Sequence, residues 1–391
     1  MRRDSQALKA ALADLEQRNL RRTRRLMPRA DLINFCSNDY LGLASHPQVV
    51  RAFVDAANEH GVGSGASHLV TGHGREHEAL EAELAAFTGR EKALVFSTGY
   101  MANMGAISAL ADQTATIVAD KLNHASLIDG GRLTRAHSLR YRHADAGHAH
   151  ELLAALDESI ETRLLITDGV FSMDGDVAPL PELASHARAA DAWLIVDDAH
   201  GLGVLGRTGR GSCEHFGLAS DDVPVLVGTF GKAFGTFGAF VAGDAELIEF
   251  LIQTSRTYIF TTALPPAVAA ATRAALRVSE RESWRREKAL ALGARFALGL
   301  KEIGDTIQRP QPREPQPGTT IGTTIIPVIL GDAARALAVS KALEERGFLV
   351  SAIRPPTVPA GSARLRVTMT AAHEESQVDA LLEALAQALR A

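Results

Sequence analysis

From about residue 90 onward, short apolar runs alternate with stretches whose apolar positions recur every three or four residues. Alternation of this kind predicts an α/β fold, a mostly parallel sheet covered by helices on both faces. The runs that read as strands are Ala93–Phe96, Thr116–Val118, Leu164–Thr167, Trp193–Val196 and Val223–Val227, each followed by a polar or glycine-bearing turn. In open α/β sheets ligands sit beyond the carboxyl ends of the strands, so those turns are where chemistry is expected.

The two ends of the chain read differently. Leu8, Leu12 and Leu15 fall at helical spacing, and the stretch closes in Arg18, Arg21, Arg22, Arg24 and Arg25. Near the other end, Arg309–Thr320 (RPQPREPQPGTT) reads as an exposed connection between a helical segment ending near Ile303 and the apolar run Thr323–Leu330. A helix around Ala334–Arg346, a strand Arg364–Thr368 and an amphipathic helix from Glu374 then predict a small α+β domain. The expected division is an N-terminal helical segment over 1–39, a large domain over 40–273 and a small C-terminal domain over 274–391, with the boundary between 265 and 280.

Composition narrows the classes of function. The 391 residues are 46% hydrophobic and 22% charged, as in an ordinary soluble protein, and no apolar run approaches the roughly 20 residues that span a bilayer. A net charge of −5 offers no general attraction to nucleic acid. The arginine cluster reads as a solvated helix end, since no Phe, Tyr or Trp precedes Phe35 to stack on bases. Asp4, Asp14 and Glu16 argue against a transit peptide. Only Cys36 and Cys213 are present, far apart, so no disulfide framework is indicated and a reducing cytoplasm is expected.

Three strand ends carry the candidate chemistry. After Phe96, the run Ser97-Thr98-Gly99-Tyr100 opens a helical pattern, where unsatisfied amides and the positive dipole end can cradle a phosphate. After Val196 come Asp197, Asp198 and His200. Carboxylates there can bind a metal, cap a helix or hold a protonated ring nitrogen; no third and fourth metal ligands fall at suitable spacing, so no metal site is expected. After Val227, Gly228-Thr229-Phe230-Gly231-Lys232-Ala233-Phe234-Gly235 sets one lysine among glycines. It does not fit a nucleotide phosphate loop, because Ala233 rather than Ser or Thr follows the lysine. By itself Lys232 reads as a surface lysine. An anion cradle, an acid for a pyridine nitrogen and an imine-forming lysine together are what pyridoxal 5'-phosphate requires. His124, after another strand, can lay its imidazole on a flat ring, whereas the histidines between His137 and His150 read as surface residues and Asp168–Asp176 as a turn-rich loop.

At these residues the chain resembles the α-oxoamine synthases, the acyltransferase branch of the aspartate-aminotransferase-like pyridoxal-phosphate enzymes. The resemblance runs from Asn34–Leu43 nearly to the C-terminus and includes Asp168–Asp176, Val196–Gly201, Thr229–Gly235 and Ile353–Gly361. It implies that Lys232 forms the imine with the cofactor and moves protons at the substrate Cα. It further implies that Asp197 pairs with the pyridinium nitrogen, His200 bonds the ring oxygen and His124 stacks on the ring and assists the acyl group. By the same resemblance Gly99, Tyr100, Ser172 and Thr229 surround the cofactor and its phosphate, Arg366 takes the amino acid's carboxylate, and Asn38 lies near the amino acid. Arg354 and Thr357 lie in the segment closing over the acyl substrate, and Arg21 best matches an arginine contacting that substrate. Asp168 stands where comparable members carry glutamate.

The implied reaction is decarboxylative condensation of an amino acid with an acyl thioester. The wording of Ile353–Gly361 points to L-alanine with a pimeloyl group on coenzyme A or acyl carrier protein, glycine with acetyl-CoA being the alternative. A homodimer with shared active sites is implied, with Thr261 and Thr262 serving the partner's phosphate site. A non-catalytic relative would lack Lys232 or Asp197, and both are present.

Overall fold

A computed structural model of the chain describes residues 5–27, 31–304 and 322–390. The proline-rich connection at 309–320 lies outside the described residues. The apolar runs fold as the strands Lys92–Phe96, Thr116–Asp120, Arg163–Asp168, Trp193–Asp197 and Val225–Thr229, and two more complete a seven-stranded sheet. In sheet order the strands run Lys92–Phe96, Ala239–Gly243, Val225–Thr229, Trp193–Asp197, Arg163–Asp168, Thr116–Asp120 and His137–Tyr141. Ala239–Gly243 is antiparallel to both neighbours and every other pairing is parallel. The two strands absent from the sequence expectation have separate reasons. Ala239–Gly243 follows directly on the glycine-rich lysine turn and blends into it. His137–Tyr141 is an edge strand, largely exposed and polar, so no apolar run marks it.

Side chains along the inner strands alternate between two cores. Leu164 and Ile166 pack with Phe96, Ile107, Ile195 and Leu251 on one face, while Leu165 packs with Val118, Leu183, Leu194 and Val196 on the other. Burying each such side chain contributes about 1.5–3 kcal/mol, which fixes the register against a one-residue slip.

The C-terminal part builds a second core. Ala363–Thr368 lies between Ser351–Ile353 and Ile325–Gly331, antiparallel to both, under the helices Trp284–Ile303, Ala333–Glu344 and Glu375–Arg390. Phe35 joins this core rather than that of the large sheet and stacks on His373 at 4.2 Å between ring centroids. Period-two alternation puts Arg364 and Arg366 on one face of their strand, and both reach the 172–174 turn: Arg364 pairs with Asp174, and Arg366 donates to the Ser172 carbonyl. That contact is how the small sheet meets the large sheet's carboxyl edge. Among the described residues no helix is long and apolar enough to cross a membrane.

Candidate active site

Sheet register sets the site. Asp168 is paired with Asp197, and Asp197 with Val227, so two neighbouring strands end at one level, the third runs two residues further to Thr229, and their turns converge. Asp197 is buried; its Oδ1 accepts the Ala199 amide at 3.0 Å and its Oδ2 accepts Asn103 Nδ2 at 2.6 Å. Asp198, one residue on, turns the opposite way into the core, where the Ser212 amide donates to it at 2.7 Å and the Ser212 hydroxyl bonds it as well. Gly169, Gly201 and Gly211 collar that carboxylate so closely that an added Cβ would lie 2.6, 2.1 and 1.9 Å from its oxygens. Burial pushes the Asp198 carboxyl up to about 7. Of the two acids, only Asp197 belongs to the site.

Lys232 Nζ lies 2.9 Å from His200 Nε2, and His200 Nδ1 lies 2.7 Å from Tyr40 Oη. Burial lowers the Lys232 ammonium to about 8, with Arg366 adding to the shift while Asp197 and Asp168 oppose it. Burial, reinforced by the charges of Lys232 and Arg366, holds His200 well below the usual histidine range. A neutral imidazole therefore faces an amine that is partly uncharged near neutrality. Burial, and then the nearby charge of Asp197, push the Asp168 carboxyl well above its usual range. Its Oδ2 accepts the His124 amide at 2.7 Å, so this residue anchors the turn that carries the histidine.

Arg366 has every nitrogen keyed. Its Nε donates to Ser172 O at 2.5 Å, Nη1 to Asn38 Oδ1 at 3.0 Å and Nη2 to Tyr40 Oη at 3.4 Å. A guanidinium carries five N–H groups, so one remains on each terminal nitrogen, the arrangement that grips a carboxylate in two places. Asn38, His124, Ser172, His200, Lys232, Thr357 and Arg366 line one cavity of about 780 Å³.

Other expected residues sit around this centre. Gly99 and Tyr100 open the helix Gly99–Leu110, Thr98 caps it by accepting the Met101 amide at 3.1 Å, and a Cβ on Gly99 would lie 4.0 Å from Thr229 Oγ1. The Tyr100 hydroxyl turns away to Asp129, while its ring meets His124 edge-on at 6.4 Å between centroids. Arg21 spends its guanidinium on Glu16 at 2.6 Å, and it is Arg22 whose Nη2 reaches Thr357 Oγ1 at 3.3 Å. Arg354 donates to the carbonyls of Asn19 and Arg21. These arginines line a second cavity of about 970 Å³ that shares Cys36, Ser351 and Ile353 with the first.

Tyr40, Asn103 and Ser126 are part of this constellation although no local pattern singles them out; each is buried and each bonds a residue distant in sequence. His143, expected at the surface, is instead partly buried between Asp120 Oδ1 at 3.0 Å and Asp176 Oδ2 at 2.7 Å. Burial alone would lower it, but those two acids raise it to about 10. It ties the Asp168–Asp176 loop to the neighbouring strand end.

A buried carboxylate with fixed donors, a depressed amine, a neutral histidine beside it, a second imidazole on the cavity wall and a helix start facing Thr229 form the donor set that pyridoxal phosphate needs. The residues fit the group.

Comparison with known proteins agrees. Residues 30–385 match the aminotransferase class I and II family. The 8-amino-7-oxononanoate synthase of Methylococcus capsulatus is 58% identical over 97% of this chain and 97% of its own, and that of Pseudomonas putida KT2440 is 56% identical over 91% and 88%. Among solved structures, the serine palmitoyltransferase of Sphingomonas wittichii is 33% identical with a TM-score of 0.88, covering 99% of this chain and 97% of its own. A Francisella tularensis 8-amino-7-oxononanoate synthase is 30% identical with a TM-score of 0.78, covering 92% and 98%. Fold likeness favours one name and sequence identity the other; identity is the finer guide, because backbone shape is shared across substrates. By both the extent of the family match and this identity, the chain belongs to the aminotransferase class I and II family, in its 8-amino-7-oxononanoate synthase branch.

Proposed function

We propose that this chain condenses L-alanine with a pimeloyl thioester, releasing carbon dioxide and free thiol and forming 8-amino-7-oxononanoate for biotin synthesis. The observation that carries the reading is the meeting in one cavity of the Lys232 amine, the two remaining N–H groups of Arg366 and the Pro356–Pro359 wall. The activity for which the 56–58% identical relatives are named selects the substrates.

Pyridoxal phosphate is the cofactor, and when bound it supplies an electron sink for bond changes at the substrate Cα. Lys232 would hold its aldehyde carbon, Asp197 its ring nitrogen, His200 its ring oxygen and His124 its face, with the Gly99 and Tyr100 amides, Ser172 and Thr229 around its phosphate. Lys232, lowered to about 8, has enough free amine to take the Cα proton and later return it. Arg366, oriented by Ser172, Asn38 and Tyr40, holds the carboxylate and so keeps the bond that breaks in one place. Arg354 and Thr357, with Arg22 or Arg21, face the thioester's carrier, whose phosphates suit an arginine-lined cavity.

Residues 40–273 serve as the cofactor-binding unit and 274–391 as the unit that brings Arg366 and the acyl-facing segment to it. Two copies complete the enzyme: Val70, three residues from the Ser67 that bridges to Thr262, and Phe260, next to Thr261, are exposed on the single chain, which supports a partner covering that face and sharing the phosphate site.

Thiol release measured over a matrix of alanine, glycine and serine against pimeloyl-, acetyl- and palmitoyl-CoA tests the assignment. Alanine with pimeloyl-CoA is expected to exceed every other pair at least roughly tenfold in kcat/KM; a preference for glycine with acetyl-CoA would sink it.

A further inference from the structure

Between Asp197 and His124 runs a line of hydrogen bonds that the reaction as described does not use. Asn103, 1% exposed, donates Nδ2–H to Asp197 Oδ2 at 2.6 Å and to Ser126 Oγ at 2.8 Å. Exchanging the amide's oxygen and nitrogen would set Oδ1 against the carboxylate, so the charge of Asp197 fixes which way the amide points. Its Oδ1 is buried without a hydrogen-bond partner among the described residues, a cost that marks the side chain as kept for its two donors.

Ser126 Oγ accepts from Asn103 with one of its two lone pairs and keeps its proton, and His124 Nδ1 lies 2.7 Å away. The Ser126 backbone amide also donates to that nitrogen at 3.3 Å. A backbone amide can only donate, so Nδ1 presents its lone pair to it, the Ser126 hydroxyl donates to the same nitrogen, and the one proton of a neutral ring sits on Nε2. Burial, with Lys232 adding and Asp197 opposing, lowers His124 and favours that neutral form.

We propose that Asn103 and Ser126 are positioning residues that lock His124 as the Nε2–H tautomer, so that a cavity-lining ring offers the acyl substrate a hydrogen-bond donor rather than a base. A donor is what the thioester carbonyl oxygen needs as negative charge gathers on it during attack. This rests on the reading of His124 as the group facing the acyl substrate.

The test is ¹⁵N NMR of the full-length holoenzyme and of its cofactor-free form, labelled at its fourteen histidines, with His124→Gln identifying the signal. A protonated Nε2 and an acceptor-type Nδ1 near pH 7.5 are expected. In Ser126→Ala the Nδ1 signal should move toward that of an unbonded ring nitrogen, and kcat should fall roughly two- to tenfold, the share of one hydrogen bond, with KM for L-alanine unchanged. Ser126→Thr, which keeps the hydroxyl, should hold the wild-type signal. An Nδ1–H or doubly protonated ring in the wild-type chain overturns the proposal, as does an Nδ1 signal indifferent to Ser126→Ala. The tautomer is read without turnover, so a chain showing Nε2–H but lacking synthase activity would refute the proposed function and leave the tautomer assignment intact.

Discussion

Replacing Arg366 by lysine keeps the positive charge and removes the fork, which separates attraction from orientation. In the folded chain three of its five N–H groups go to Ser172 O, Asn38 Oδ1 and Tyr40 Oη, leaving one on each terminal nitrogen for the substrate carboxylate. An ammonium is a point donor and cannot hold both oxygens in that plane. A hydrogen bond to a charged group contributes about 1.5–3 kcal/mol, so losing one of the two costs roughly 10- to 150-fold in kcat/KM for L-alanine. The Ser172 carbonyl also loses its guanidinium donor and Asn38 Oδ1 one of its two donors, which should lower the melting temperature by a few degrees. Steady-state kinetics with alanine varied at saturating pimeloyl-CoA provides the assay, with bound cofactor quantified in parallel to show that the site remains assembled. If Arg366→Lys retained kcat/KM for alanine within about twofold at full cofactor occupancy, the carboxylate would be held elsewhere and the argument from the guanidinium's geometry would fail.

Capture of pyridoxal phosphate by cofactor-free protein should accelerate with pH around a midpoint near 8, where the Lys232 amine loses its proton; a midpoint near the ordinary lysine value of about 10.4 would show that burial does not depress it. Lys232→Ala should abolish both the yellow absorbance and nearly all turnover. His143, raised to about 10 in the folded chain, contributes stability that is fully present below its unfolded value of about 6.5 and is lost as pH rises through 10. His143→Gln should therefore lower the melting temperature at pH 6 and leave it close to wild type above that range, and equal losses at both pH values would count against the ion-pair account. Since Arg22 and not Arg21 reaches Thr357, Arg22→Ala should raise KM for pimeloyl-CoA roughly two- to fivefold more than Arg21→Ala, and added salt should erase the difference.

What the sequence discloses and what it hides divide along a physical line. Asp197, His200 and Lys232 are legible because each lies at the end of an apolar strand or within three residues after it, and a sheet of this kind brings such turns together whatever helices lie between. Tyr40 is not legible, although it sits inside the Asn34–Leu43 motif, because its importance is a bond to His200 that lies 160 residues on. Asn103 reads as one polar residue in an apolar helix, and nothing nearby says that a carboxylate 94 residues away claims its amide. His143 fails the same way, with partners 23 residues before it and 33 after it turning an apparent surface histidine into a charged tie. Local pattern reveals where chemistry can be presented; the contacts that orient it are long-range.

That division also explains why fold likeness and sequence identity single out different relatives. The lysine, the aspartate and the histidines stand on the carboxyl edge of the large sheet, and the backbone that carries that edge resembles a palmitoyltransferase with a TM-score of 0.88. The residues around the arginine-lined cavity and its junction with the Lys232 cavity come from other parts of the chain: Arg22 from the N-terminal segment, Ile353, Arg354 and Thr357 from the strand Ser351–Ile353 and the turn after it. On the proposed function, substitutions there are expected to change which thioester is accepted while Lys232 and Asp197 stay in place on the large sheet. On that same proposal, the large sheet would account for the kind of bond made, and the two smaller segments for which acyl group is joined.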